Sequence, residues 1–173
     1  GFIESPDVIE YVGTDVIPDV CRKTKQLLKN FEIKSDIYCK PSEDLYKSKT
    51  FLKKYKQHFD VVFFSPPYYR LELYQSDNQS TTRYKDYQDW LAKYWESTVK
   101  LCHYVLEKDG KMCYILSDYG SKNTSQKFDL VNDMNDIAKK YFQLTSIQTM
   151  QNKNVHSTKH RETGEQIILF TKN

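Results

Sequence analysis

The sequence predicts one α/β domain built on a mainly parallel sheet with an antiparallel hairpin at its C-terminal end, and three observations carry that expectation. Short apolar runs alternate with segments of helical period as far as Phe142. The run Phe59-Asp60-Val61-Val62-Phe63-Phe64 stops at Ser65-Pro66-Pro67-Tyr68. The last two apolar runs, Leu144 to Met150 and Gln166 to Lys172, succeed one another without a helical pattern between them. Strand-helix alternation requires crossover connections and therefore parallel neighbours, whereas direct succession gives an antiparallel pair. At 173 residues the chain suits one domain spanning 1–173.

Ile9 to Asp15 reads as a strand ending in an acid. Pro18 then opens a helix whose Val20, Thr24, Leu27, Leu28 and Phe31 follow a 3.6 period. Ile33 to Cys39 predicts the second strand, Pro41 to Leu45 a loop, and Tyr46 to His58 a lysine-rich helix. The uninterrupted apolar run from Val61 to Phe64 predicts a strand buried on both faces. Tyr69 to Arg83 is polar and without period, which predicts a loop. A long amphipathic helix is expected from Tyr87 to Leu106, with Leu91, Tyr94, Trp95, Thr98, Cys102 and Val105 on one face. Lys108-Asp109-Gly110 reads as a turn, Lys111 to Leu116 as a strand, and Phe128 to Phe142 as a helix facing inward through Val131, Met134, Ala138 and Phe142.

Composition excludes several classes. No apolar stretch approaches the ~18 residues of a transmembrane helix, and the start lacks a secretory signal pattern, so an intracellular, cytoplasmic or nucleoid- or nucleus-associated protein without membrane contact is expected. The net charge of +3 permits a nucleic-acid partner without requiring one. Cys21, Cys39, Cys102 and Cys113 have no metal-ligand spacing and read as buried free thiols in a reducing compartment; no metal site is expected. Gly1 in place of Met suggests a trimmed chain or a tag remnant.

The proline corner is where chemistry is expected. Pro66 and Pro67 have no amide hydrogen and fix their own φ, so a sheet ladder cannot continue past Ser65. The corner leaves the Ser65 hydroxyl and the Pro66 carbonyl as acceptors at the end of a strand, which is where open α/β sheets bind ligands. Such a corner can grip a planar group bearing an NH2, with oxygens taking the amino hydrogens and the Tyr68 ring stacking on the plane.

Ser65-Pro66-Pro67-Tyr68 after a strand resembles motif IV of the S-adenosylmethionine-dependent DNA amino-methyltransferases, which modify adenine N6 or cytosine N4. The order of the flanking segments resembles the same family, from Asp15 to the final strand. The resemblance implies a Rossmann-like class I methyltransferase fold. It also implies catalytic roles for Ser65, Pro66, Pro67 and Tyr68, and cofactor binding by Asp15 at the ribose, by Val16 and Ile17 against the adenine face, and by Ser42, Glu43 and Asp44 near the adenine amino group. A helix cap at Ser42 or Asp44 is the structural alternative. DNA with a flipped base is the implied partner, and Lys153, Lys159 and Arg161 in the loop before the last strand are candidate phosphate contacts, with a plain hydrophilic hairpin loop as the equal alternative. Tyr69 and Tyr74 read equally as neighbours of the target site and as surface aromatics.

One family feature has no match. None of Gly1, Gly13, Gly110, Gly120 and Gly164 forms the glycine-rich turn that follows the family's first strand. That strand, central in the family fold, is expected to come from a segment N-terminal to Gly1 or from a partner, and residues 1–173 alone should bind cofactor weakly. The expected function is methyl transfer to the exocyclic amino group of a DNA base, in a setting such as restriction-modification. The alternatives are a methyltransferase-like subunit without catalysis and an RNA or protein-amide N-methyltransferase.

Overall fold

A computed structural model describes residues 5–31, 33–69, 78–84, 86–117, 128–151 and 162–173. The element order is β1 (Glu10–Asp15), α1 (Pro18–Leu28), β2 (Lys34–Cys39), α2 (Ser42–Leu45), α3 (Lys49–Lys54), β3 (Phe59–Phe64), α4 (Ser80–Arg83) and α5 (Tyr87–Asp89). A π-helical segment, Trp90–Trp95, follows, and then α6 (Glu96–Val105), β4 (Leu106–Ser117), α7 (Leu130–Ala138), β5 (Gln143–Gln151) and β6 (Glu162–Thr171). No helix among the described residues is long and apolar enough to cross a membrane.

The strands form two sheets. β1 and β2 pair in parallel, and a four-stranded sheet has the order β3-β4-β6-β5, with β3 and β4 parallel and β6 antiparallel to both neighbours. The expected α/β architecture with a C-terminal antiparallel pair is therefore present. β1 and β3 are not hydrogen-bonded to each other. They run the same way, because Glu10 at β1's start meets His58 beside β3's start at 2.7 Å, while both C-terminal ends line one cavity.

Local sequence explains most of the boundaries. Pro18 supplies N1 of α1, and Asp15 Oδ1 accepts the Ile17 amide at 2.7 Å. Ser48 Oγ caps α3 by accepting the Phe51 amide at 3.3 Å. Asp86 accepts the amides of Gln88 and Asp89 and starts the long helical stretch. Within that stretch the π turn presents both tryptophans inward, Trp90 donating to Ser80 Oγ at 2.9 Å and Trp95 to the Met134 carbonyl at 2.8 Å. The turn read at Lys108-Asp109-Gly110 lies inside β4 as a register shift, with Asp109 at φ 64°.

Several expectations are corrected. The Pro41 to Leu45 segment is a short helix, and the lysine-rich helix is confined to Lys49–Lys54 because Ser48 caps a fresh start. Of the period expected for α1, Leu28 is buried and Thr24 and Phe31 are half-buried, but Val20 and Leu27 are exposed, and Cys21 takes the place of Val20 on the buried face. Of the thiols, Cys21 and Cys102 are buried, Cys113 is half-buried and Cys39 is exposed.

The strand at Phe59–Phe64 is not covered on both faces. Val62 and Phe64 pack on the main core, but Val61 and Phe63 are 40% and 56% exposed. The same asymmetry runs across the sheet. Met112, Tyr114, Leu116, Ile168 and Phe170 are fully buried, whereas their alternating neighbours Cys113, Ile115, Ile167 and Leu169 are half-buried. The register places Phe63 beside Cys113, Cys113 beside Leu169, and Ile115 beside Ile167 on that open face. The covered face carries the π segment, α6 and α7 with Trp90, Trp95 and Met134 at 0% exposure. A smaller cluster of Leu45, Phe51, Tyr55, Leu101 and Val105 touches Val12 and Tyr38 on one side and Phe59 and Val62 on the other, and so holds the two sheets in one body.

Candidate active site

The two sheets bound a cavity of about 560 Å³. One wall is β1 and its C-terminal residues Asp15, Val16 and Ile17. The opposite wall is β3 and the Ser65-Pro66-Pro67 corner. The floor comes from Ser42 and Glu43 of α2 with Tyr94 and Thr98 of the helical layer, and Asn78, Gln79 and Ser80 also line the cavity. The structure thus brings the proline corner to the same space as the acid at the end of β1 and the acidic turn after β2, residues far apart in sequence.

Asp15 has one carboxylate oxygen occupied by the Ile17 amide, and the other carries no hydrogen bond among the described residues. Val16 and Ile17 offer apolar surface beside it. Ser42 caps no helix. Its hydroxyl lies 2.7 Å from Thr98 Oγ1, and Thr98 in turn donates to the Tyr94 carbonyl at 2.9 Å, which fixes α2 on α6. Asp44 caps nothing either, its Oδ1 accepting from Arg83 Nη2 at 2.8 Å.

Glu43 is the least expected member. It is 1% exposed, lines the cavity, and has Arg83 Nη1 2.9 Å from its Oε1. Burial raises its carboxyl above the ordinary range, and the Arg83 charge pulls it back in part. Arg83 is held charged by its hydrogen bond to Asp44. No sequence signal pairs Arg83 with a turn 39 positions away; the only hint is the two adjacent acids, Glu43 and Asp44, in that turn.

At the corner, Ser65 is exposed, its hydroxyl without a hydrogen bond among the described residues, and Pro66 is buried. Tyr68 is placed differently from the reading that sets its ring over a bound base. It is 6% exposed and does not line the cavity with Ser65, Pro66 and Pro67. Its hydroxyl lies 3.1 Å from Ser117 Oγ and accepts the Ser117 amide at 3.0 Å, which ties the corner to the end of β4. Tyr69 is also buried, among Tyr87, Trp90 and Phe128. Tyr74, Lys153, Lys159 and Arg161 lie outside the described residues. Among the described residues no three His, Cys, Asp or Glu side chains converge as a metal site would require.

Residues 59–173, from β3 through the proline corner to the last strand, match the DNA methylase family of N6 and N4 methyltransferases. The chain belongs to this DNA methylase family. The fold agrees with that membership. The PH0226 protein of Pyrococcus horikoshii superposes with a TM-score of 0.57 at 15% identity over 95% of this chain and 72% of its own. TTHA0409 of Thermus thermophilus, a presumed DNA modification methylase also solved with S-adenosyl-L-methionine, superposes at 0.53 with 17% identity over 77% of this chain and 52% of its own. The N-methyltransferase NodS of Bradyrhizobium japonicum, solved with S-adenosyl-L-homocysteine, superposes at 0.56 with 11% identity over 93% of this chain and 65% of its own. This methylase-family chain therefore spans about half the length of the Thermus protein. No curated protein matches it.

Proposed function

We propose that this chain is the target-amine half and part of the cofactor half of a DNA amino-methyltransferase acting on cytosine N4 or adenine N6. The observation that carries the reading is the shared cavity: the Ser65-Pro66-Pro67 corner faces Asp15 and Glu43 across one space. S-adenosylmethionine is the methyl donor, and when bound it supplies an electrophilic methyl group on a sulfonium. The residues fit such a group. Asp15 offers a free carboxylate oxygen to ribose hydroxyls, Val16 and Ile17 offer an apolar face to adenine, and the buried Glu43 carboxylate is an acceptor with unspent capacity, with Ser42 beside it on the cavity lining and Asp44 holding Arg83.

The chain's own contribution to the reaction is positioning. The Ser65 hydroxyl and the Pro66 carbonyl accept the two hydrogens of the target amino group, which directs the nitrogen lone pair into the cavity and favours the positive charge that the nitrogen gains. No covalent nucleophile is needed. Pro66 and Pro67 make the corner rigid, and Tyr68 holds it to Ser117; stacking of Tyr68 on a base requires its ring to leave Ser117. A duplex base reaches this corner only when flipped out. Lys153, Lys159 and Arg161 complete the proposal as phosphate contacts.

The glycine-rich part of the cofactor site is supplied, in this reading, by a strand and helix from polypeptide outside these residues. Two observations support it. β1 and β3 run alike with unpaired facing edges among the described residues. Right-handed crossover places a helix that feeds β1 from that gap on the α1 side, opposite α6, and that is the face on which Val61 and Phe63 lie open.

Labelled methyl transfer by the full-length protein onto DNA, RNA and protein tests the proposal, with nucleoside analysis separating cytosine N4 from adenine N6. Incorporation into DNA that falls roughly 10²-fold in Ser65→Ala is expected, by analogy with loss of one transition-state hydrogen bond. Labelling of RNA or protein alone, or none, overturns it.

A further inference from the structure

One guanidinium joins the segment that follows the proline corner to the turn that follows β2. Arg83, the last residue of α4, reaches Glu43 Oε1 with Nη1 at 2.9 Å and Asp44 Oδ1 with Nη2 at 2.8 Å. Neither Glu43 oxygen has an aligned hydrogen bond, although both are fully shielded from solvent and the residue lines the cavity. A carboxylate is retained in such a place only if a cation compensates its desolvation. Among the described residues Arg83 is the cation in ion-pair contact with Glu43, and its side chain is 23% exposed, so the pair sits at the boundary between cavity and surface. Arg83 also packs over the Tyr84 ring, 5.7 Å from its centroid, which limits where the fork can point.

We propose that Arg83 is a positioning residue: its fork holds Glu43 ionised and in one orientation on the cavity floor, where the carboxylate receives the amino group of the cofactor's adenine. This rests on the reading of the cavity as the methyl-donor site. The same two contacts tie the turn after β2 to the segment of α4, whose neighbours Asn78 and Gln79 and first residue Ser80 line the same cavity.

Among the described residues, few charged or titratable groups face Glu43. Arg83 and Tyr84 approach from α4 and its end, Asp44 lies on the same turn, and Tyr94 comes from the π segment. Burial raises both tyrosine hydroxyls, so they stay neutral. Asp44 is shared between Arg83 and the more distant Lys47 at 4.0 Å. Removing Arg83 takes away one influence that favours the carboxylate and leaves burial and the Asp44 charge, opposed among the described residues by Glu43's own amide and the Tyr84 hydroxyl, so protonation extends to higher pH.

The test uses the full-length protein and the variants Arg83→Met, Arg83→Lys, Glu43→Gln and the Glu43→Gln/Arg83→Met double. S-adenosylhomocysteine binding is followed by calorimetry, and KM for S-adenosylmethionine and kcat are followed across pH about 5 to 9. Arg83→Met is expected to raise KM about tenfold or more while kcat stays within about threefold, the scale of one charge-assisted hydrogen bond. The acidic limb of kcat/KM moves to higher pH in Arg83→Met, moves less in Arg83→Lys, and disappears in Glu43→Gln. The double variant binds no worse than Glu43→Gln, and it carries the test if Arg83→Met does not fold, because it leaves no unpaired buried charge. A fall in kcat at constant KM, an unmoved acidic limb, or losses that multiply in the double variant overturns the inference. Binding of S-adenosylhomocysteine without methyl transfer to DNA overturns the substrate reading alone, with the binding shifts still read out; absence of binding overturns both.

Discussion

The two walls of the cavity are built to different standards. The β3 wall is the edge of a four-stranded sheet backed by a dense aromatic layer, in which Trp90, Trp95, Tyr114 and Phe170 are fully buried. The β1 wall belongs to a two-stranded sheet in which no strand residue is fully buried, and its helix α1 leaves Val20 and Leu27 exposed. It is held by the small cluster under α3 and by charged contacts such as Glu10 with His58 and Lys34, and Asp36 with Tyr55. The wall that carries the proposed target-amine corner is thus preorganised by packing, whereas the proposed donor wall is held by side-chain contacts around an open gap. Rigid placement matters most where two acceptors must fix the direction of a lone pair, and a nucleoside-binding wall tolerates more adjustment.

Trp95→Ala should separate the walls most sharply. It empties a fully buried site and abandons the bond to the Met134 carbonyl, so the unfolding free energy falls by about 3–5 kcal/mol. A urea titration checks this, and a loss under about 1 kcal/mol would mean that the helical layer does not support the β3 wall. Tyr68→Phe is the next largest. It removes the hydroxyl shared with Ser117 and should cost about 1 kcal/mol. Because the ring stays in its pocket, amide exchange is expected to rise at Ser117 and the corner and to stay constant in β1 and β2. Uniform acceleration would contradict the local role given to this tyrosine.

Acidification should act on the other wall. For Glu10, burial raises the carboxyl, but His58 and Lys34 outweigh it and the net shift is downward. Asp36 is lowered by its bonds to Lys54 and Tyr55. A depressed folded-state value contributes stability that is present above the ordinary carboxylate range and lost as pH falls through the folded value. Below pH about 4 the β1–β2 sheet should therefore loosen first, each partly exposed pair contributing no more than about 0.5 kcal/mol. Hydrogen exchange that opens β4 and β6 before β1 and β2 would reverse the ranking of the two walls.

The strand pattern was largely legible, because hydrophobic period and breaker residues act locally. Asp15, Ser65 and the proline corner could be named from strand ends alone, and all meet at the cavity. Legibility failed where burial depends on what lies opposite. Val61 and Phe63 look like core residues in sequence, and their side chains are chemically suited to a core, but nothing among the described residues covers that face. Ser42 and Asp44 read equally as helix caps or ligands, and neither caps a helix: Thr98 and Arg83, both distant in sequence, claim them instead. Tyr68 was legible as an aromatic at the corner, but the direction of its ring depended on Ser117, on a strand that the sequence does not mark as a partner.

The sequence alone determined the alternation of strands and helices, the antiparallel end, and a corner at Ser65 that cannot continue a sheet, since these follow from side-chain period and from the missing amide hydrogens of proline. Tertiary structure alone decided that β1 and β3 stand unpaired across a cavity, that Glu43 is buried on its floor, and that Arg83 reaches it. Those outcomes depend on desolvation and on through-space charge pairing between residues that no local pattern connects.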